Sequence, residues 1–307
     1  MQVHRSIKNL PSFNNAVITI GSFDGVHCGH QKIIAALKDE AAAVNGETVI
    51  ITFDPHPRKI VQPDKLLRLL TTLDEKLQLL QKAGIDHTVV VPFTQAFSKQ
   101  SPNEYIENFL IKNFAPAAII IGYDHHFGKG RTGNYRLLEE RAANFNYRLI
   151  EISQQLLNEI DISSSKIRNA IFESDVAAAN ALLGYSFFFE GTVVKGDQLG
   201  RTLGYPTANL EYVDEDKIHL GHGVYAVYAD VNGKREKGMM SIGTRPTLAK
   251  SDEKVEVNLF DFNKDLYGKT IRITVEHFLR GQEKYPSLEV MVEQLHKDKE
   301  HSLALLK

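Results

Sequence analysis

A short apolar run, Val17-Ile18-Thr19-Ile20, breaks at a glycine and opens into a helical pattern. This junction limits the fold more than any other segment. Downstream, apolar residues recur at Ile33, Ile34, Leu37, Ala41 and Val44, the spacing of one helix face. Between run and helix lies Gly21-Ser22-Phe23-Asp24-Gly25-Val26-His27-Cys28-Gly29-His30. A buried strand therefore feeds a glycine-rich turn, and the turn starts a helix. The free N–H groups of the first helical turn and the positive end of the helix dipole face whatever the turn holds, which makes a phosphate site. No G-x-x-x-x-G-K-[ST] occurs in the chain, so the turn is not a P-loop.

The alternation continues through the first half. Val49–Phe53, His87–Val91, Ala118–Ile121 and Arg148–Ile152 are further runs rich in Val and Ile. Most lack strict alternation, as parallel strands covered on both faces should. Thr72-Leu73-Asp74-Glu75 reads as a capping box ahead of Leu73, Leu77 and Leu80, with Gly84 as the stop. Ser101-Pro102-Asn103-Glu104 reads as a second box with proline at the first helical position. The order βαβαβ predicts a doubly wound, Rossmann-like α/β domain. Such sheets bind ligands at the carboxyl ends of their strands. Three strands are followed there by His- and Gly-rich segments: the turn above, Asp54-Pro55-His56-Pro57-Arg58, and Gly122-Tyr123-Asp124-His125-His126-Phe127-Gly128-Lys129-Gly130-Arg131. One ligand site along that edge is expected.

After about Gly184 the pattern changes. Phe187–Val194, Val224–Val231, Lys237–Ile242, Val255–Phe260 and Thr270–Leu279 read as strands, and Asn232-Gly233 is a hairpin signal. A small antiparallel β-barrel is expected, followed by a helix from Ser287 through Leu288, Met291, Val292 and Leu295. The segment Asp161–Leu183 reads as short helices joining two domains, 1–183 and 184–307.

Composition excludes several classes. The formal net charge of -2 provides no global field toward nucleic acid or anionic membrane. The lone Cys28 precludes an intrachain disulfide and fits a reducing compartment. Met1 is followed by polar residues, and no apolar run reaches the length of a membrane span. A cytoplasmic protein with small-molecule partners is expected, with neither nucleic acid nor membrane. None of these features sets an oligomeric state.

The H-x-G-H spacing resembles the signature of the nucleotidyltransferase superfamily. With it stand T-F-D-P-H-P (Thr52–Pro57), G-Y-D-H-H-F-G (Gly122–Gly128) and I-S-S-S-K-I-R (Ile162–Arg168). The second half adds G-T-V-V-K-G-D-Q-L-G-R-T-L-G-Y-P-T-A-N-L (Gly191–Leu210), G-V-Y (Gly223–Tyr225), S-I-G-T-R-P-T (Ser241–Thr247), V-E-V-N-L-F-D-F (Val255–Phe262) and D-L-Y-G-K (Asp265–Lys269). Together, and in this order over nearly the whole chain, these motifs resemble the bifunctional riboflavin kinase/FAD synthetases of bacteria. Asn258, where many relatives have His, and Tyr185-Ser186-Phe187, in place of Arg-x-Tyr, depart from the pattern.

The resemblance implies that the first domain joins FMN to the AMP part of ATP and releases pyrophosphate. The attacking phosphate oxygen is already anionic, so the task is alignment and charge neutralisation. His27 and His30 suit this as donors, and Arg168 can grip a phosphate with two N–H groups. Gly21, Phe23, Asp24, Gly25 and Gly29 are expected to bind the nucleotide, the glycines letting backbone approach it; Ser163, Ser164 and Ser165, with His56 and Asp124, are further expected ligand contacts. On spacing alone, His27 and His30 also admit an i, i+3 metal pair or simple turn residues. His125 and His126 admit metal ligands or a solvated loop, and His56 admits a structural role.

For the second domain the resemblance implies ATP-dependent phosphorylation of the riboflavin 5′-hydroxyl. An alcohol is a poor nucleophile, so a carboxylate base is expected. Glu256 matches the family's catalytic glutamate, and Val255 and Val257 point to the opposite face. Without the motif, Glu256 reads as a solvent-facing strand residue. Thr207 and Asn209 of the P-T-A-N motif offer oxygens for Mg²⁺ beside the ATP phosphates. Gly191, Gly196, Gly200 and Arg201 belong to the expected nucleotide loop. The alternatives are a monofunctional FAD synthetase with a non-catalytic flavin-binding barrel, an RNA-directed enzyme, and a flavin sensor.

Overall fold

The computed structural model describes residues 1–153, 162–196, 200, 203–244 and 253–307. The chain divides into two compact units, Met1–Ser164 and Ser165–Lys307.

The first unit is built on six strands: β1 (Gln2–His4), β2 (Val17–Ile20), β3 (Thr48–Asp54), β4 (His87–Pro92), β5 (Ala118–Gly122) and β6 (Arg148–Ile152). They run in the order β1-β4-β3-β2-β5-β6, with every pairing parallel. The edge strand β1 has no counterpart in the sequence reading.

Successive strand residues feed opposite cores, which explains the unbroken apolar runs. Ile18, Ile51, Ile119 and Ile121 pack with Phe109, Leu110 and Leu138. Val17, Ile50 and Ile120 pack with Ile34, Leu37 and Leu80. Helices Cys28–Ala43 and Leu73–Lys82 thus cover one face, while the helical segment over 102–114 and helix Tyr135–Phe145 cover the other. Both capping boxes form. Thr72 Oγ1 accepts from Glu75 N at 3.2 Å, and Glu75 Oε2 accepts from Thr72 N at 2.9 Å. Ser101 and Glu104 repeat the pair at 3.3 and 2.7 Å. From β2 the chain runs outward through β3 to β4, then returns to place β5 on the other side of β2. This reversal opens a crevice at the carboxyl ends of β2 and β5.

The second unit contains β7 (Phe188–Val194), β8 (Ala208–Tyr212), β9 (Gly223–Val231), β10 (Lys234–Thr244), β11 (Glu253–Leu259) and β12 (Thr270–Arg280). They close a barrel in the order β10-β11-β8-β7-β12-β9, antiparallel throughout. Asn232 and Gly233 have φ of 51° and 78°, as a type I′ hairpin turn requires. Leu210, Val227, Met240, Val255, Val257 and Ile273 are all buried. The last helix runs Leu288–Leu305.

The helices over 165–183 fold with the barrel rather than merely joining two domains. Asn180 satisfies two backbone groups there: its Nδ2 donates to Val275 O at 3.1 Å and its Oδ1 accepts from Phe187 N at 2.7 Å. Ser174 Oγ lies 2.8 Å from Tyr225 Oη, and Ile171, Val176, Ala179 and Leu183 are buried. A fragment starting at Ser165 is therefore expected to melt at least ~10 °C above one starting at Gly184. The lost hydrogen bonds of Asn180 and Ser174 and several uncovered apolar side chains amount to a few kcal/mol in a small domain. Equal melting temperatures would contradict this packing.

Candidate active sites

In the first unit, the turn after β2 is clamped from below. Asp24 is 3% exposed, and its Oδ1 accepts from Leu70 N at 2.9 Å and Thr71 N at 3.1 Å. Gly25 N donates to Thr71 Oγ1 at 3.0 Å, and Gly21 N to Ile51 O at 3.0 Å. Phe23 is buried with φ of 47°. The Asp24 carboxylate therefore shapes the turn through backbone N–H groups.

His27 caps helix Cys28–Ala43, its Nδ1 accepting from His30 N at 3.4 Å. That nitrogen therefore carries no proton, and Nε2 is the donor. The two rings stack at 3.7 Å, with 16° between planes, and Phe23 lies 4.9 Å from the His30 ring. Among the described residues, His30 Nδ1 is buried without a hydrogen-bond partner. Burial first, then the neighbouring His27 and Lys76, hold His30 well below the usual histidine range. Both rings are thus poised as neutral donors at a helix N-terminus.

Of the other expected residues, Ser164 Oγ donates to Asp24 O at 3.4 Å, with Ser163 immediately before it. Ser165 and Arg168, on helix Ser164–Phe172, belong to the second unit, where Arg168 is half-buried. His56, at the end of β3, caps the short helix Pro57–Val61, its Nδ1 accepting from Arg58 N at 3.1 Å. Beyond β5, Asp124 is exposed and its carbonyl lies 2.8 Å from His126 Nδ1. His125 Nε2 is buried without a partner among the described residues, and burial pushes this histidine down to about 4. No group of three or more His, Cys, Asp or Glu among the described residues is placed to hold a metal.

Sequence reasoning missed Lys76. It is 7% exposed, and its Nζ donates to Ser22 O and Thr52 Oγ1, both at 3.1 Å. Thr52 Oγ1 donates in turn to Ser22 O at 3.1 Å. The available signal was a lysine within the apolar stripe Leu73, Leu77, Leu80, three residues after its first member.

On the barrel, register assembles the second constellation. Glu256 of β11 stands directly opposite Asn209 of β8 and Ser241 of β10. Val255 and Val257 fill the interior at 3% and 1% exposure, so Glu256, Asn209 and Ser241 share the outer face. Gly196, two residues after β7, lies against Asn209 of this face. A Cβ on Gly196 would stand 2.0 Å from Asn209 Nδ2, and one on Gly200 would stand 2.3 Å from Tyr205 O and 3.3 Å from Thr207 Oγ1. Only glycine permits that approach at either position. Gly191 sits against Leu210 on the paired strand. Arg201 lies outside the described residues. Asn258 Nδ2 donates to Pro206 O at 2.8 Å, so the departure at 258 holds the P-T-A-N segment in place. In the other departing segment, Ser186 Oγ donates to Glu276 Oε2 at 2.8 Å.

Two clefts flank Pro206. One, ≈ 530 Å³, is lined by Thr207, Asn263, Asp265 and Tyr267 among others. The second, ≈ 520 Å³, is lined by Tyr205, Asn258, Asp261, His296 and Lys299. Glu256 lines neither.

Comparison with known proteins gives a match for each half of the chain. A family model described as FAD synthetase matches residues 10–166, and one described as riboflavin kinase matches 183–306. The bifunctional riboflavin kinase/FMN adenylyltransferase of Escherichia coli (strain K12) is 34% identical over 303 residues, 97% of this chain and 96% of that protein. The protein of the same name from Bacillus subtilis (strain 168) is 36% identical over 295 residues, 94% and 92%. A crystal structure described as a macrolide-efflux protein from Streptococcus pneumoniae superposes with a TM-score of 0.88 at 29% identity, covering 98% of each chain. Among the described residues of the present chain, no helix is long and apolar enough to cross a membrane. By both domain matches and by its full-length relatives, the chain belongs to the family of bifunctional riboflavin kinase/FMN adenylyltransferases.

Proposed function

We propose that the family's two reactions occupy two separate sites of this chain, FMN adenylylation within 1–183 and riboflavin phosphorylation within 184–307. The observation that supports this most directly is that the histidine turn and the Glu256 face belong to different compact units. The functional boundary at 183 differs from the packing boundary at 164 because the helix carrying Arg168 runs on into the second unit.

At the first site, the N–H groups of the 21–30 turn, His27 Nε2 and His30 bind the ATP phosphates. Their hydrogen bonds stabilise the phosphate charge as an FMN phosphate oxygen attacks the α-phosphorus and pyrophosphate leaves. Phe23, Asp24, Gly25 and Gly29 give the turn its course. Ser163, Ser164, Ser165 and Arg168 supply further donors from the following helix, while His56 and Asp124 position ligand at the ends of their strands.

At the second site, Glu256 accepts the proton of the riboflavin 5′-hydroxyl as that oxygen attacks the γ-phosphorus of ATP, the bond from the γ-phosphorus to the bridging oxygen breaks and ADP leaves. Gly196 and Gly200 bring the backbone close to Asn209 and Thr207, where its N–H groups can meet phosphate oxygens. The neutral oxygen donors of Thr207 and Asn209 suit Mg²⁺, which supplies charge neutralisation of the phosphates when bound. The two clefts astride Pro206 provide room for nucleotide and flavin. Gly196→Ala should lower riboflavin phosphorylation at least about ten-fold by displacing Asn209, and leave FMN-to-FAD conversion intact. Unchanged FMN formation would remove the loop from the site.

The same reading places the protein in the cytoplasm, acting on small molecules. The lone Cys28 and the absence of a membrane-crossing helix among the described residues support this.

Two overlapping fragments test the separation. With ATP and Mg²⁺, residues 1–183 should convert FMN to FAD but not riboflavin to FMN, and residues 165–307 should do the reverse. A folded 165–307 fragment that phosphorylates riboflavin only when the other is added would overturn the two-site reading.

A further inference from the structure

We propose that Lys76 is a positioning residue of adenylyl transfer, its ammonium holding the 21–30 turn by the Ser22 carbonyl. The inference rests on the placement of that reaction at the turn.

A lysine in the buried stripe of a helix needs a reason, because removing an ammonium from water is costly unless it is well paired. The hydrogen-bond partners of Lys76 Nζ are a carbonyl and a hydroxyl, Ser22 O and Thr52 Oγ1. Neither is a carboxylate. A methionine would fill the same space and remove the desolvation penalty, so packing alone does not require the charge. What the charge does is local. Lys76 and Thr52 both grip the carbonyl at the start of the turn, just where the backbone leaves β2 and must aim its N–H groups at the crevice.

The charged and titratable groups that face Lys76 come from three elements. Asp24 of the turn and Asp54 at the end of β3 favour the ammonium. From helix Cys28–Ala43, His30 is a further titratable group, which Lys76 helps hold low after burial and His27. Burial outweighs the two carboxylates and brings Lys76 down to about 8. Above that pH the ammonium becomes an amine and its grip on Ser22 weakens. FAD formation should therefore carry an alkaline limb near pH 8.

The test uses the full chain with ATP, FMN and Mg²⁺ from pH 6 to 10. Riboflavin phosphorylation, measured on the same preparations, is the internal reference. Lys76→Arg keeps its charge throughout; it should retain FAD formation at pH 7 within about ten-fold and lose the limb. Lys76→Met should lower kcat for FAD formation by about 10²-fold, the order expected when reacting groups shift by an ångström, and should also lack the limb. FMN formation should be unchanged in both. Cys28→Ser should keep the limb, which separates the lysine from the nearby thiol. A Lys76→Met protein with the wild-type rate and profile, or a limb that persists in Lys76→Arg, overturns the inference. Should Lys76→Met lose the melting transition of the first unit, the profile of Lys76→Arg decides alone. Including His30→Ala separates the two levels: FAD formation that survives it would remove the reaction from the turn, whereas its loss beside an unaffected Lys76→Met would remove only the lysine.

Discussion

Glu256→Gln is expected to abolish most riboflavin phosphorylation, by about 10²–10⁴-fold, the usual loss when a general base is removed. FMN-to-FAD conversion on the same chain should continue. The substitution keeps the size of the side chain, its outward direction from β11 and its place opposite Asn209. It removes only the capacity to take a proton. The interior neighbours Val255 and Val257 are untouched, so the barrel should melt as before. Separating FMN from FAD over time, with riboflavin as the starting flavin, gives the readout. An unchanged rate of FMN formation would leave Glu256 as a surface carboxylate on a strand.

The second large effect concerns the other unit. His30→Ala should lower FAD formation by about 10²–10³-fold, the loss expected for one preorganised transition-state donor, and leave FMN formation intact. Equal loss of both activities in a folded protein would contradict separate sites. The variant also has a pH signature in stability. Folded His30 binds a proton less readily than unfolded His30, which titrates at its ordinary value of 6.5. Below that value the unfolded chain takes up protons that the folded chain refuses, so this residue's contribution to stability is present above pH 6.5 and is lost on acidification. The alanine variant should show a shallower fall in melting temperature below pH 6.5 than the wild type. Phosphates arriving beside His30 favour its protonated form. ATP binding near neutral pH should therefore take up a proton in wild type and less in His30→Ala, which calorimetry in buffers of different ionisation enthalpy can measure.

Much of the first unit was legible because its signals are local. Val17–Ile20 and the runs of β3, β4 and β5 are buried on both faces over nearly their whole length, so they read as nearly unbroken apolar strands. Thr72 with Glu75, and Ser101 with Glu104, announce helix starts through bonds spanning three residues. The strand β1 was not legible: Gln2, Val3 and His4 show no apolar pattern and become a strand only by pairing with β4. The same holds for the helices over 165–183. Their sequence marks them as helices, but the contacts of Asn180 with Val275 and of Ser174 with Tyr225, distant in the chain, decide that they belong with the barrel.

The sites divide along the same line. By itself the sequence determined which residue types stand at the strand ends and that Glu256 alternates away from Val255 and Val257, because turn chemistry and a two-residue period are properties of neighbours. Only the tertiary structure decided that Glu256 faces Asn209, that Gly196 must let the loop down onto that asparagine, that Asp24 spends its carboxylate on Leu70 and Thr71, and that Lys76 reaches Ser22. Each of these joins segments far apart in the chain. Strand register and burial set such contacts, and the spacing of residues along one segment carries no information about either.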